Sequence, residues 1–369
     1  MDNPFKKIFD TGLAAFTSSK VESAIGIDIG TSSIKVVQLK KKGSKAILET
    51  YGSLSLGPYA DTEVGRVTNL STDKISTALT DALRETNTTS KVTAFSIPSS
   101  ASLLFVIELP ASVPESQYGN VVPTEARKYV PVPINEVALD YWAIPKRDES
   151  FNVYGGEENA KSEVLVAAIH NDILNRYKDI LKRVDTTPKF YEIETFSAIR
   201  SSLGRDIAPM VFIDMGASKT KLSIIEMGVV RNFHMVNRGM NDLTSSISKG
   251  MSITYDQAEV KKRENGMVGA DVAVADACRL FIDNIFAEIS NTVLQFERKY
   301  NRAVTKVMFS GGGALLPGLM EYAVSQFQSE VVFADPFSKV ESPAFLEDVL
   351  KEGGPEFSIA VGLALRALE

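Results

Sequence analysis

The chain has 369 residues, of which 44% are hydrophobic and 23% charged, and its formal net charge is -6. This length exceeds that of one typical domain, and the composition is that of a soluble globular protein with a large core. The acidic balance argues against nucleic-acid binding, and no stretch approaches the roughly 18 consecutive apolar residues that span a bilayer.

Residues 1–21 form an N-terminal segment that is predicted to be amphipathic. Its large apolar side chains share one helical face: Phe5, Ile8, Phe9, Leu13 and Phe16. Such a segment can contact a membrane surface or a partner, pack on its own domain, or form a disordered tail. It lacks the continuous apolar run of a secretory signal, so we expect a cytoplasmic protein.

The next stretch predicts a strand, a tight turn and a second strand. Residues 24–29 are apolar except for Asp28, which is costly to bury unless its charge is used. Lys35 follows on the return strand. The turn offers backbone N–H groups and hydroxyls that can hold phosphate oxygens, from Gly30, Thr31, Ser32 and Ser33. An ordinary hairpin is the alternative for this stretch alone.

Further elements extend this start into an α/β layer with an insertion. A strand at 46–51, a helix at 72–86 and a strand at 92–97 continue the layer. A compact insertion follows, and residues 190–203 then return to the first layer. The elements predicted for the insertion are a strand at 103–109, a helix at 114–129, strands at 136–144 and 163–170, and a helix at 171–184.

The opening pattern recurs after Pro209. Both copies read Asp-x-Gly-x-Ser-x-x-Lys, and the second copy contains Asp214, Gly216, Ala217, Ser218 and Lys221. An internal repeat of a strand, an acidic turn and a strand predicts two related layers. Two such turns, facing each other, can clamp a chain of phosphates while Asp28 and Asp214 hold Mg²⁺ through water.

The second half also supplies a glycine-rich turn. Residues 241–300 are mostly helical, residues 306–310 predict a buried strand, and residues 359–368 predict a buried helix. Gly311, Gly312 and Gly313 follow the strand and permit close approach of a flat base to the backbone. These features together point to a nucleotide site.

With these motifs in this order, the chain resembles the actin, Hsp70 and FtsA class of nucleotide-binding proteins. It is more closely similar to the PilM family, the cytoplasmic actin-like proteins of type IV pilus assembly. The stretches that carry this resemblance are 26–35, 125–131, 137–141, 212–217 and 309–319.

The resemblance implies an α/β, actin-like (ribonuclease H-like) two-domain ATPase fold with an SHS2-like insertion called 1C. It implies ATP and Mg²⁺ as cofactors, with Glu259 and Lys262 at the ribose and Leu316 in the same nucleotide site. Without the flanking motifs, Glu259 and Lys262 belong to an ordinary solvated charge run. The implied division is 22–101 as 1A, 102–185 as 1C, 186–204 as a return to 1A, 205–245 as 2A, 246–304 as 2B and 305–369 as a return to 2A.

The resemblance also implies partners. PilM-like proteins bind the cytoplasmic N-terminal tail of the membrane protein PilN between 1A and 1C, which here involves residues 103–109 and 126–132. The expected further contacts are pilus motor ATPase or platform components and self-association. The protein is therefore expected to be peripheral to the inner membrane through its protein partners.

Hydrolysis of ATP is expected to be slow at most. Glu194 is the candidate for positioning a water, whereas Glu192 stands where the family commonly has an aspartate, one methylene shorter; a surface carboxylate at a helix start is the alternative for Glu194. Two other functions remain open on the same fold, a small-molecule kinase and an FtsA-like filament protein.

Overall fold

The computed structural model describes residues 21–145, 161–204 and 206–369, so the predicted amphipathic segment lies outside the described residues except for Val21. The strands are β1 (Ser23–Ile29), β2 (Ser33–Lys42), β3 (Lys45–Ser55), β4 (Val92–Ile97), β5 (Ser102–Pro110), β6 (Val137–Ala143), β7 (Lys161–His170), β8 (Thr187–Ile193), β9 (Met210–Met215), β10 (Thr220–Glu226), β11 (Val229–Val236), β12 (Lys306–Ser310), β13 (Glu330–Phe333) and β14 (Val340–Glu341). The helices are α1 (Thr72–Glu85), α2 (Tyr118–Ala126), α3 (Asn171–Leu181), α4 (Glu194–Ser202), α5 (Met240–Met251), α6 (Tyr255–Asn265), α7 (Val272–Tyr300), α8 (Leu319–Gln326), α9 (Glu347–Gly353) and α10 (Ser358–Ala367).

The first sheet is built around β1. Its strand order is β14-β3-β2-β1-β4-β8, with β1 antiparallel to β2 and parallel to β4. Strand β1 is buried along almost its whole length, as its apolar sequence predicts for a central strand. Its carboxyl end therefore brings Asp28 and the following turn to one edge of the sheet.

The second sheet repeats this arrangement. Its order is β11-β10-β9-β12-β13, with β9 antiparallel to β10 and parallel to β12. Asp28 lies opposite Lys35 in the first sheet, and Asp214 lies opposite Lys221 in the second. The internal repeat predicted from the sequence is confirmed at the level of register.

The insertion forms a third sheet, in the order β5-β7-β6, with antiparallel neighbours. Alternate residues of β7 point to opposite faces because the side-chain period of a strand is two. Leu165 and Ala167 join the core of the first sheet together with α3. Val164 and Val166 join a smaller core under α2. Helix α2, which contains Pro123, is shorter than the predicted helix at 114–129.

The closing residues differ from the predicted return to 2A. Strand β14 pairs with β3, and α10 packs on β1, β4 and α4, so this part of 305–369 belongs with the first sheet. Close approach explains the packing: a Cβ on Gly26 would lie 1.9 Å from the Ala360 carbonyl oxygen, and one on Gly362 would lie 1.8 Å from that of Ser197. Helix α10 is buried, as predicted for this segment.

Each of the two large sheets has its own hydrophobic core. None of the helices within the described ranges has the length and apolar character needed to cross a bilayer.

Candidate functional site: the cleft between the two large sheets

A cavity of about 570 Å³ lies where the carboxyl ends of β1 and β9 face each other. Every residue predicted from the sequence for the site lines this cavity. These residues are Asp28, Gly30, Thr31, Ser32, Ser33, Lys35, Glu194, Asp214, Gly216, Ala217, Ser218, Lys221, Glu259, Lys262, Gly311, Gly312, Gly313 and Leu316. The structure therefore places them together, while their binding roles remain predictions.

The two turns close in the same way. Gly30 N–H donates to the Ser33 carbonyl oxygen at 3.0 Å, and Gly216 N–H donates to that of Lys219 at 3.0 Å. A Cβ on either glycine would lie 3.0 Å from the same acceptor, so both positions favour glycine. Because the two turns have the same geometry, the hydroxyl and backbone N–H groups that follow each glycine line the cleft, one set from each half.

Asp28 is buried, with an exposed fraction of 5%. Its Oδ1 accepts a hydrogen bond of 2.8 Å from Ser96 Oγ on the neighbouring strand β4. Burial, and then the negative charge of Glu194, raise the pKa of Asp28 to about 6, although Lys35 and Lys221 oppose this rise. A cation at this carboxylate would stabilise its charged form.

Lys221 connects the two halves of the cleft. Its Nζ lies 2.9 Å from Asp214 Oδ2 in the second half and 2.7 Å from Glu194 Oε2 in the first half. Burial opposes its charge, but the two carboxylates outweigh burial and raise the pKa of Lys221. Glu194 Oε2 also accepts the Ser99 backbone N–H at 3.0 Å, so this oxygen has two donors.

The equivalent lysine of the first half has different contacts. Lys35 Nζ donates to Ser33 Oγ at 3.0 Å, and it has no carboxylate within ion-pair distance among the described residues. The repeat therefore places a salt-bridged lysine on one side and a lysine without an acidic partner on the other. An ammonium group of the second kind is suited to a phosphate oxygen.

The glycine triplet packs directly against the second acidic strand. Gly311 has φ 82°, and a Cβ there would lie 2.4 Å from Asp214 Oδ1. A Cβ on Gly313 would lie 2.7 Å from Met240 Cγ and 2.8 Å from Met215 Cβ. Gly311 and Gly313 are thus required for the close approach of the backbone to the acidic strand, in addition to the predicted role of the triplet at a base.

Glu259 and Lys262 lie one turn apart on α6. The helix begins with a capping box in which Thr254 Oγ1 and the Gln257 side chain each accept a backbone N–H from the other residue. Glu259 Oε2 accepts from Lys262 Nζ at 2.6 Å and from Thr244 Oγ1 at 2.7 Å. Burial lowers the pKa of Lys262 even beside this carboxylate. A buried, paired arrangement differs from a solvated charge run.

Glu192 lies outside the cleft and is fully buried in a separate cluster. It forms ion pairs with Arg200 at 2.5 Å and with Arg366 at 3.0 Å. Burial opposes its charge, but the two arginines lower its pKa. Its contacts are structural, which separates it from Glu194 two residues later.

Sequence reasoning missed Ser96 and Asn241. Asn241, at the start of α5, donates its backbone N–H to the Ala217 carbonyl oxygen at 2.9 Å and lines the cavity. No short-range pattern identifies either residue, because each reaches the site by packing of a distant element.

The donor set fits a nucleotide better than a bare metal ion. Within the described ranges, no group of three or more His, Cys, Asp or Glu side chains is placed to hold a metal ion. Asp28 and Asp214 stand at two separate turns, an arrangement suited to a hydrated Mg²⁺ that is also held by phosphates. The backbone and hydroxyl donors of both turns fit phosphate oxygens.

A second surface lies on the insertion. The exposed ring of Tyr129 stacks on Phe105 of β5, with centroids 5.0 Å apart and an interplanar angle of 22°. Leu103 on the same strand is also exposed. These residues belong to the two stretches predicted to bind a partner, 103–109 and 126–132.

Comparisons with known proteins agree with this architecture. One chain of the PilM-PilN type IV pilus biogenesis complex is similar over 95% of this chain and 100% of its own length, with a TM-score of 0.78 and 23% identity. The ethanolamine utilization protein EutJ from Carboxydothermus hydrogenoformans is similar over 95% of this chain and 91% of its own, with a TM-score of 0.52 and 13% identity. The fold is therefore α/β and actin-like, as predicted.

The family model of the type IV pilus assembly protein PilM matches residues 26–368, which include both acidic turns, the insertion and the glycine triplet. This chain therefore belongs to the PilM family of type IV pilus assembly proteins.

Proposed function

We propose that this protein is an actin-like, ATP-binding scaffold of type IV pilus assembly. It holds the cytoplasmic N-terminal tail of a PilN-like inner-membrane protein and connects it to the pilus motor ATPase or platform components. The observation that carries the nucleotide part is the pair of equivalent acidic turns on two walls of one cleft. Membership of the PilM family supports the pilus part.

The residues at the cleft divide into three groups by their chemistry. The two turns, with Lys35, would hold phosphate oxygens through N–H groups, hydroxyls and one ammonium group. Asp28 and Asp214 would hold Mg²⁺ through water. Glu259 and Lys262 would contact the ribose, beside a backbone surface made by Gly311, Gly312, Gly313 and Leu316. Bound ATP with Mg²⁺ would supply a hydrolysable phosphoryl group.

Glu194 is the candidate for positioning a water. Its Oε2 is engaged by Lys221 and by the Ser99 N–H, which supports slow hydrolysis because a carboxylate held by two donors is a weak base. Domain closure on the nucleotide, rather than rapid turnover, would then provide the signal.

The partner part of the proposal rests on the insertion. The similar chain comes from a PilM-PilN complex, and the likeness supports a similar partner here. Leu103 and Tyr129 are exposed and Phe105 is half-buried. Together they offer an apolar and aromatic surface on the insertion, which suits a short peptide with apolar side chains. Self-association and a peripheral position at the inner membrane belong to the same proposal. So does the division into 1A, 1C, 2A and 2B, with α10 assigned to 1A.

Calorimetric titration of the full chain with a synthetic cytoplasmic N-terminal tail of a PilN-like protein tests the proposed partner. Saturable binding of the tail is expected, and a scrambled peptide of the same composition should not bind. Equal heats for both peptides would contradict the proposal.

A further inference from the structure

A short segment of the first half contacts the first acidic turn directly and is linked to the second acidic turn through Asn241. We call residues 63–68 the clasp segment. It follows a tight turn after β3, and its residues Val64 and Gly65 line the nucleotide cavity. Gly65 lies close to Glu259 of the opposite half, since a Cβ on this glycine would be 3.7 Å from the Glu259 carboxyl carbon.

The clasp segment is anchored to the first turn. Thr68 donates both its backbone N–H, at 2.8 Å, and its Oγ1 hydroxyl, at 3.0 Å, to the carbonyl oxygen of Thr31. Both bonds reach the main chain of a residue predicted to hold phosphate. If the clasp segment moves away from the cleft, either the first turn moves with it or the two hydrogen bonds between Thr68 and Thr31 break.

The same segment is linked to the second turn through one side chain. Val67 N–H donates to Asn241 Oδ1 at 3.3 Å, and Tyr255 OH donates to the same oxygen at 3.1 Å. The backbone N–H of Asn241 donates in turn to the Ala217 carbonyl oxygen at 2.9 Å. A continuous chain of hydrogen bonds thus joins Thr31 to Ala217 through the clasp segment.

Arg66 adds a contact across the cleft. Its guanidinium carbon lies 4.3 Å from the centroid of the Tyr255 ring, which is the geometry of a cation–π interaction. Glu63 fixes the guanidinium, with its two oxygens 2.5 Å from Nε and 3.2 Å from Nη2. Glu63, in the same segment, therefore fixes the orientation of the Arg66 guanidinium that contacts the Tyr255 ring.

We propose that the clasp segment holds the cleft closed over bound nucleotide and sets the rate of nucleotide release, with Arg66 as a positioning residue that acts through Tyr255. This inference rests on the proposed function, because it assigns a regulatory element to the same site. The cleft opens only when the contacts of Arg66 and Val67 with the opposite half break. Their loss accelerates release and does not slow entry, since entry occurs in the open form, which their loss favours.

Stopped-flow release of a fluorescent ATP analogue from the full chain, chased with unlabelled ATP and Mg²⁺, tests the clasp. Arg66→Gln is expected to raise the dissociation rate roughly 2- to 30-fold, the range of one cation–π contact, with a smaller change in the association rate. Arg66→Lys keeps a cation over the ring and should restore part of the slow release. Arg84→Gln is the control, because Arg84 pairs with Asp81 on the same helix and should release at the wild-type rate.

A second variant and a double variant make the test specific. Tyr255→Leu removes the ring and also its hydroxyl bond to Asn241. The double variant should therefore release nucleotide at the rate of Tyr255→Leu alone, because the contact that Arg66→Gln removes is already lost there. Tyr255 is buried, so Arg66→Gln, at a side chain 40% exposed, decides the result if Tyr255→Leu fails to fold. An unchanged release rate in a folded Arg66→Gln protein overturns the clasp and leaves nucleotide binding intact. Absence of binding to the wild-type chain overturns both proposals.

Discussion

The Nζ atom of Lys221 lies 2.7 Å from Oε2 of Glu194, so a cation from the second half forms an ion pair with an acid from the first half. Both side chains are largely buried. An ion pair inside the cleft thus connects the two halves, beside the aspartates that are predicted to bind the metal ion.

Lys221→Met should destabilise the protein by about 3 kcal/mol, because it leaves two buried carboxylates without their shared cation. Chemical denaturation followed by circular dichroism measures this change. The matched control is Lys35→Met at the equivalent position, where the loss should stay below about 1 kcal/mol because no ion pair breaks. Equal stability losses for the two variants would contradict the asymmetry of the cleft.

Asp28 should make both stability and ligand binding depend on pH. Burial, and then Glu194, raise its pKa from 3.8 to about 6, so the folded state binds more protons than the unfolded state between these values. The raised pKa therefore lowers the free energy of unfolding by its full amount above pH about 6, and this loss vanishes as the pH falls below 3.8. Asp28→Asn should therefore stabilise the ligand-free protein at pH 7.5, by on the order of 2 kcal/mol, and the gain should disappear toward pH 4.

Lowering the pH should have the opposite effect on the affinity for ATP in the presence of Mg²⁺. This affinity should fall as the pH drops through about 6, because protonated Asp28 no longer attracts the cation. Titrations at several pH values measure this. A wild-type affinity with the same pH profile as Asp28→Asn would show that Asp28 is not involved.

Gly311→Ala should be strongly harmful. The added Cβ would lie 2.4 Å from Asp214 Oδ1, and φ is 82°, so both space and backbone conformation oppose it. We expect a loss of about 2 kcal/mol or more in stability, together with lost nucleotide binding. Gly250→Ala is the control, since nothing lies within 4 Å of its Cβ position on α5 and alanine favours a helix. Thermal unfolding of both variants decides the point.

Substitutions of Glu192 and Glu194 should affect different properties, stability for Glu192 and ATP hydrolysis for Glu194. Glu192→Gln leaves Arg200 and Arg366 without their buried carboxylate and should lower stability by about 3 kcal/mol while nucleotide affinity is kept. Glu194→Gln should reduce the rate of phosphate release from ATP. The opposite assignment would be indicated if Glu192→Gln lost hydrolysis and kept full stability.

Tyr129→Ser should weaken binding of the PilN-like tail at least several-fold while the melting temperature changes little, because Tyr129 is 51% exposed. Phe345→Ser is the matched control, an exposed aromatic residue far along the chain from the insertion. Similar losses in both variants would argue against a groove at the insertion.

The repeat is what made the cleft predictable from the sequence. Asp28 and Asp214 stand at the ends of apolar strands, and matched spacing to Lys35 and Lys221 implies matched registers, which the structure has. A local motif is enough to predict each turn, since the hydrogen bond that closes it joins two backbone groups only three residues apart. Hence the two acidic turns and the glycine triplet could be predicted to lie at one cleft without tertiary information.

The placement of α10 was not predictable in the same way. An apolar helix carries no signal for which of two similar sheets it covers. The prediction from the sequence therefore takes 305–369 as one return to 2A, whereas α10 packs on the first sheet. Gly26 in β1 and Gly362 in α10 were the available signal, because each allows a backbone approach that a side chain would block. Asn241, Arg66 and Tyr255 were missed because their contacts join segments far apart in the chain.

Nucleotide binding between the two acidic turns is the property on which the proposed function most directly depends. Calorimetric titration of the full chain with ATP and Mg²⁺ should show one saturable site, with Mg²⁺-dependent affinity that is reduced at least tenfold in both Asp28→Ala and Asp214→Ala. Variants that remain folded and bind ATP with the wild-type affinity and Mg²⁺ dependence would contradict the central claim.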